Sequence, residues 1–333
     1  MAQRYTLNTI KGYANDLLSF CIMSQAFGGW KGIRVSDMTG YIHAELFQKR
    51  KYSLATIMRH VETLKKFYTW LEQKGYLIVA PDFNWSYRHL FIKSYTEYLS
   101  SSHRHSSLLS LYITHETFKK ILAGVQPKSR FIKIRNQLAL KLGYLCGTRA
   151  SEVLTLTTSH VYHAILEAKD KNNGIWAATA IKLVGKGGTE RHLYFPPSLC
   201  ESVAYYIRNL RFKLPQKSDA LLCTRTGTSI KDTKFASTVF FSACREANVA
   251  TVGSQGYHRL RKSYGTNLVN ECYESGDNPW VEIPRRLGHK SLHTTLMYIQ
   301  FDALLNNRSN VLTDLKLAKN TTTTSKIVKK KYD

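Results

Sequence analysis

Four separated stretches of this 333-residue chain carry side chains that could act together on a phosphate ester. In Gly147-Thr148-Arg149-Ala150-Ser151-Glu152, Arg149 opens a helix after a glycine turn. Glu152 follows three residues on, close enough for its carboxylate to brace the guanidinium. Gly185-Lys186-Gly187-Gly188-Thr189 puts Lys186 in a turn between two strand-like runs. The phosphate-loop pattern of nucleotide-binding proteins is not met, because Gly187 and not Ser or Thr follows the lysine. Tyr257-His258-Arg259-Leu260-Arg261 sets His258 and Arg261 three apart, on one face near a helix N-terminus that already favours anions. Arg259 is expected to point elsewhere, to the surface or to DNA. Leu287–Ile299, LGHKSLHTTLMYI, has His289 at the end of one helix. Tyr298 follows in the next helix, which Ser291 is expected to cap.

Each stretch alone has a simpler account: an ion pair at a helix start, an exposed hairpin lysine, capping histidines, a core tyrosine. Taken together, they supply what nucleophilic attack on a phosphodiester needs. Arg149 and Arg261 can fork onto the equatorial oxygens, where negative charge grows. A tyrosyl oxygen that loses its proton can attack phosphorus and form a covalent intermediate. A lysine can protonate the leaving oxygen. No metal or other cofactor is required, and the acidic clusters of metal-dependent nucleases are not evident. Lys182 and Arg191 are rivals for the part of Lys186, while Tyr257 and Tyr264 are rival tyrosines expected to be packing residues. Leu292, Leu296 and Ile299 form a core face without Tyr298, so the tyrosine is expected to stand off that face.

These groups need a scaffold, and the pattern of apolar residues predicts a mainly helical one with a small sheet. Thr6–Phe27, Val35–Gln48 and Ser53–Gly75 read as amphipathic helices, the last capped by Ser53 and closed by Gly75. Thr114–Val125, with Thr114 as N-cap, and Phe131–Cys146, closed by Gly147, continue the helical pattern. Then the period changes. His160–Leu166, Ile175–Val184 and Arg191–Phe195 are rich in β-formers and are separated by turn sequences, which predicts a three-stranded antiparallel sheet. Helices return over Ser198–Phe212, Lys231–Ala247, His258–Glu274, Pro279–Arg286 and Ser291–Ile299. The expected division is a helical domain over 1–95, a serine-rich linker over 96–110, a larger domain over 111–310 and a basic, mobile tail over 311–333.

Bulk composition agrees with a polyanionic partner. Forty-eight basic against 23 acidic side chains give a net charge of +25, and residues 1–95 alone carry +7. Nucleic acid is the leading partner. A membrane is disfavoured, since no signal peptide and no sufficiently long apolar run is present. The six cysteines are scattered, which argues against a zinc cluster or a disulfide framework and suggests a reducing, cytoplasmic setting. His103-Arg104-His105 reads as part of a solvated basic linker.

The order Arg149, Lys186, His258, Arg261, His289, Tyr298 resembles that of the tyrosine recombinases, or phage-type integrases. The contexts GTRASEVLTL, GKGGTERHLYFP, HRLR and LGHKSLHTTLMY match as well. The resemblance spans nearly the whole chain and implies a helical core-binding domain followed by a catalytic domain. It implies that Tyr298 attacks the scissile phosphate to give a 3′-phosphotyrosyl link, and that Arg149, Arg261 and His289 hold the non-bridging oxygens. Lys186 would be the general acid, His258 the base, and Glu152 the brace of Arg149. The implied substrate is double-stranded DNA, recombined through a Holliday junction by a homotetramer on two sites, with accessory DNA-bending proteins compatible with it. A mobile genetic element is the preferred setting, and the protein would lie at the nucleoid when bound. In members of that family the tyrosine-bearing helix is often movable, so that two of four subunits cut at once; the sequence leaves open whether the helix of Tyr298 moves. Departures are Thr148, where a large apolar residue is frequent, and the Lys-Ser-Tyr-Gly-Thr that follows Arg261. Two alternatives remain: a type IB-like topoisomerase, and a DNA-binding architectural protein without catalysis.

Overall fold

Helix formation in this chain is set by local stop and start signals, and packing then decides which faces close. A computed structural model describes residues 5, 7–79, 83, 111–127, 129–184, 190–251, 256–289, 292–311 and 313. The fold is mostly helical, with one small antiparallel sheet. Backbone contacts divide the chain into two units, 1–104 and 105–333. The linker expected over 96–110 lies outside the described residues, as does the tail beyond residue 313. Among the described residues, no helix is long and apolar enough to cross a membrane.

In the first unit, α1 (Leu7–Ser24), α2 (Val35–Gly40) and α3 (Leu54–Gln73) enclose one core. The Tyr41–Lys49 segment prolongs α2 with wider, π-type hydrogen bonding. The core is built from Phe20, Met38, Ile42, Leu46, Ile57, Leu64 and Tyr68, among others. Ser53 caps α3 by accepting from the Thr56 N–H, and Gly75 follows it at φ +73°. A buried carboxylate ties α1 to α3. Asp16 accepts from Arg59 Nη1 (2.7 Å) and from the Thr63 hydroxyl (3.0 Å), and lies 3.0 Å from His60 Nε2.

The second unit begins with α4 (His115–Ala123), capped by Thr114, and α5 (Arg130–Cys146), closed by Gly147 at φ +64°. A single 3-10 turn over Glu152–Leu154 takes the place of the helix start expected at Arg149. Then come α6 (Thr158–Lys171), β1 (Thr179–Val184), β2 (Glu190–Phe195) and α7 (Pro197–Tyr206), which π-type bonding extends through Ile207–Arg211. The chain continues through α8 (Phe235–Glu246), α9 (His258–Ser275), α10 (Pro279–Leu287) and α11 (Leu292–Leu305).

The sheet has two strands where three were expected, because His160–Leu166 lies inside α6. Its β-branched and aromatic residues read as a strand. In the folded chain Thr158, Val161 and Ile165 fall on one helical face and are buried, and α6 packs on β1 and α7. Its start is fixed from far along the chain, where the Asp219 backbone and carboxylate accept the Thr158 and Ser159 N–H groups at 2.7 and 3.0 Å. A distant cap of this kind leaves no local signature. Strands β1 and β2 pair from Thr179 with Phe195 to Val184 with Glu190. Ile181, Leu183, Leu193 and Phe195 enter the main core. A separate cluster joins the last three helices through Tyr264, Leu268, Val269, Ile283, Leu287, Tyr298 and Ile299.

Candidate active site

The site grows from the two ends of α10 and α5 and from the first turns of α9. Gly147, in the left-handed conformation that closes α5, leaves its carbonyl free to accept from Arg261 Nη1 at 2.5 Å. The other arm of Arg261, Nη2, donates to the Leu287 carbonyl at the end of α10. A guanidinium at a helix C-terminus satisfies an orphan carbonyl and favours the dipole. Arg261 is buried and its hydrogen bonds go to backbone, so burial lowers its pKa, with Arg149 and Arg191 adding to the effect. A guanidinium stays charged nonetheless, and it welcomes an anion.

Arg149 is held by Glu152 as the spacing suggested. Its Nη1 meets Oε1 at 2.5 Å, and its backbone N–H donates to Oε2 at 2.7 Å. Burial pushes the Glu152 pKa up, but Arg191 and Arg149 outweigh it and hold the carboxyl below its ordinary range. The Arg149 side chain remains 43% exposed, so its guanidinium can meet a ligand.

Beyond Leu287 the chain turns through Gly288, at φ +65°, into His289. His289 Nδ1 lies 3.1 Å from the Thr295 hydroxyl, a buried group on α11. Its ring stacks on Tyr298, with centroids 5.6 Å apart and planes 15° from parallel. Burial, then the field of Arg261, Arg149 and Arg191, pulls the His289 pKa down to about 4. His258 opens α9 and keeps an exposed edge. Desolvation by the surrounding protein, then Arg261, Lys262 and Arg149, takes its pKa to about 4 as well. Both imidazoles are neutral at pH 7, each able to accept one proton.

Tyr298 departs from expectation: it is 5% exposed and belongs to the core cluster of the last helices, whereas Leu292 faces solvent. Gly265 is the reason. It lies four residues beyond Arg261, on the same face of α9. A Cβ there would stand 2.7 Å from Tyr298 Cε1 and 2.9 Å from Cδ1. The missing side chain lets the Cδ1–Cε1 edge of the tyrosine ring come close to α9 while its face stacks on His289. Burial raises the Tyr298 pKa, while Arg261 and Arg149 oppose the rise.

The structure therefore gathers Arg149, Glu152, Arg261, His258, His289 and Tyr298. Lys186 and Ser291 lie outside the described residues. Two expectations are corrected. Arg259 does not face the surface: it is buried, and donates to the carbonyls of Leu111 (3.2 Å) and Ala250 (2.9 Å). Arg191 is no exposed substitute for Lys186, since its guanidinium is buried against Glu152 and the Arg286 carbonyl. The rival Lys182 pairs with Glu190 on the outer face of the hairpin, at 2.9 Å. Tyr257 is a packing residue that donates to the Ala139 carbonyl at 2.7 Å, and Tyr264 packs on Gly147. Thr295 drew no attention in the sequence, and Gly265 only as part of the stretch after Arg261; neither residue type signals chemistry, and both act through contacts that the fold makes.

Known proteins resemble this chain in sequence and in fold. The model of the phage integrase family matches residues 112–303, and that of the phage integrase N-terminal SAM-like domain matches 1–75. The chain is 24% identical over 307 residues to tyrosine recombinase XerC of Listeria welshimeri, covering 89% of this chain and 88% of that protein. It is 25% identical over 300 residues to XerC of Thermodesulfovibrio yellowstonii, covering 89% and 86%. In fold it is similar to the XerH site-specific recombinase bound to a palindromic difH substrate. That match has a TM-score of 0.66 and 21% identity, and covers 92% of this chain and 80% of that one. The Tn1549 transposon integrase in complex with a circular intermediate DNA gives a TM-score of 0.63 at 15% identity, covering 93% and 95%. The family match and the fold thus define the class, that of the tyrosine-type, site-specific recombinases. The chain belongs to the phage integrase family.

Proposed function

We propose that this chain cuts and rejoins double-stranded DNA at specific sites, with Tyr298 as the nucleophile. The observation that carries the reading is the stacked His289–Tyr298 pair beside Arg261, a buried guanidinium that, among the described residues, donates to backbone carbonyls. The Tyr298 oxygen attacks phosphorus and forms a 3′-phosphotyrosyl bond as the bond to the 5′ oxygen breaks. Its phenolic proton passes to His258, and Lys186 supplies a proton to the leaving oxygen. Arg149, Arg261 and His289 hold the non-bridging oxygens, and Glu152 aims Arg149. A 5′-hydroxyl from a second duplex reverses the step. Two rounds exchange strands through a Holliday junction, with four copies of the chain on two sites. The first unit, with its basic surplus, clamps the duplex. Integration or transposition of a mobile element is the biological setting we favour, a reading supported by the fold it shares with the Tn1549 transposon integrase.

A nicked suicide duplex tests this, its sequence taken from a site enriched by binding to the full chain. The wild-type chain is expected to become covalently attached to the 3′ side. Tyr298→Phe should bind the duplex equally well and form no covalent complex. Absence of attachment by the wild type on such a site would sink the proposal. Strand exchange between two sites, as opposed to relaxation of one supercoiled circle, then separates a recombinase from a topoisomerase.

A further inference from the structure

The inner face of β2 carries a cation. Side chains along Glu190–Phe195 alternate, so Arg191 turns inward with Leu193 and Phe195 and is only 5% exposed. A buried charge is costly unless fixed partners replace water. Arg191 has three such partners. Its Nη2 meets the Glu152 carboxylate and lies 3.5 Å from the Gly147 carbonyl, and its Nη1 donates to the Arg286 carbonyl at 2.6 Å. Its stem passes Gly288 so closely that a Cβ there would stand 3.1 Å from Arg191 Cδ.

Every one of these partners is one step from a group placed in the reaction. Glu152 holds Arg149. The Gly147 carbonyl is shared with Arg261. At the end of α10, Arg191 takes the Arg286 carbonyl and Arg261 takes the next one, Leu287, before the chain turns through Gly288 into His289. One planar guanidinium therefore spans the brace of Arg149 and the helix end that delivers His289. A lysine in its place has a single nitrogen and cannot reach in both directions at once.

We propose that Arg191 is a positioning residue for strand cleavage, holding the Glu152–Arg149 pair in register with the His289 turn. The inference rests on the recombinase reading above. It is tested by single-turnover cleavage of the same suicide duplex, with the Kd for DNA and the Tm measured alongside. Wild-type cleavage is the control: if the wild type forms no covalent complex, the recombinase reading fails and not this inference. Given that control, Arg191→Lys and Arg191→Met are expected to bind DNA within about threefold of wild type. Their cleavage rate constants should fall roughly 10- to 100-fold, with lysine the milder change. The double variant Arg191→Lys/Glu152→Gln should cleave about as slowly as the slower single variant, because both act through Arg149. A guanidinium that only holds the hairpin in place would lower Tm and leave the rate constant of the folded protein unchanged. That outcome overturns the proposal, as do multiplying single effects in the double variant. Where Arg191→Met does not fold, Arg191→Lys decides. Failure of the lysine variant itself to fold assigns Arg191 a structural role only and likewise overturns the inference.

Discussion

Each unit holds a buried carboxylate against basic side chains, Asp16 in the first and Glu152 in the second, and the two sites differ in what is left over. In the first unit, Asp16 faces Arg59 and His60. Burial lowers the His60 pKa, more than the attraction of Asp16 raises it, so one cation meets one anion. Thr63 adds a neutral donor, and the group serves to hold α1 against α3. In the second unit, Glu152 faces Arg149 and Arg191, and Arg261 lies beside them with its donors on backbone carbonyls. Three guanidiniums stand against one carboxylate. A balanced buried pair is a clasp. A buried surplus of positive charge is held by the fold at a cost in stability, and a phosphate relieves it. The same residue types thus have opposite meanings, decided by the local charge count.

Variants can break that contrast, and the largest effect is expected at the surplus. Arg261→Lys keeps the charge but cannot reach the Gly147 and Leu287 carbonyls together. Cleavage of the suicide duplex should slow by about 100-fold or more. An unchanged rate would place the phosphate elsewhere. Next is the clasp. Asp16→Asn should cost the first unit about 2 kcal/mol, seen as an earlier thermal transition. The cleavage rate of protein still folded at low temperature should stay as it was. A matching loss of cleavage chemistry would erase the distinction between the two sites.

Two helical glycines sharpen the comparison further. Gly265→Ala forces a methyl against the Tyr298 ring, at a contact of 2.7 Å. It should cost roughly 1–2 kcal/mol and displace the nucleophile, lowering the cleavage rate. A Cβ on Gly40, in α2 of the first unit, meets nothing within 4 Å. Gly40→Ala should raise stability by about 0.5–1 kcal/mol, with no effect on cleavage.

The last effect is that of pH, which acts on stability and not on the placement of the nucleophile. His258 and His289 have folded pKa values near 4, below the ordinary 6.5. Between those values the unfolded chain binds more protons than the folded one. Their contribution to stability is therefore full above pH 6.5 and is lost as pH falls toward 4. Thermal scans at pH 7 and pH 5 should show a drop that His289→Gln makes shallower. A bound duplex should reduce it too, because phosphate charge raises both histidine pKa values.

Much of the scaffold was legible because its signals are local. The Ser53 and Thr114 caps and the glycine at the end of α5 each act within a few residues, and the helices they bound stand where periodicity placed them. The helix α6 was not legible. Its VYHAIL run suits a strand, and only packing on β1 and a cap from Asp219, 60 residues away, makes it helical. Arg259 and Arg191 were misjudged for a related reason. Arginine is usually exposed, and a sequence does not disclose the carbonyls that a fold will aim at a buried one. For Arg191 a signal was present: the alternation of ERHLYF puts it on the same side as Leu193 and Phe195.

The sequence by itself determined the inventory: which chemical groups exist, in what order, and on which helices, since residue type and spacing along the chain suffice for that. Tertiary structure decided their state. Whether a guanidinium is paired or in surplus, whether a histidine is neutral, and whether Tyr298 lies exposed or buried against Gly265 all depend on neighbours brought from distant parts of the chain. Electrostatic and packing energies fall off over a few ångströms of space, and distance in space is what folding sets.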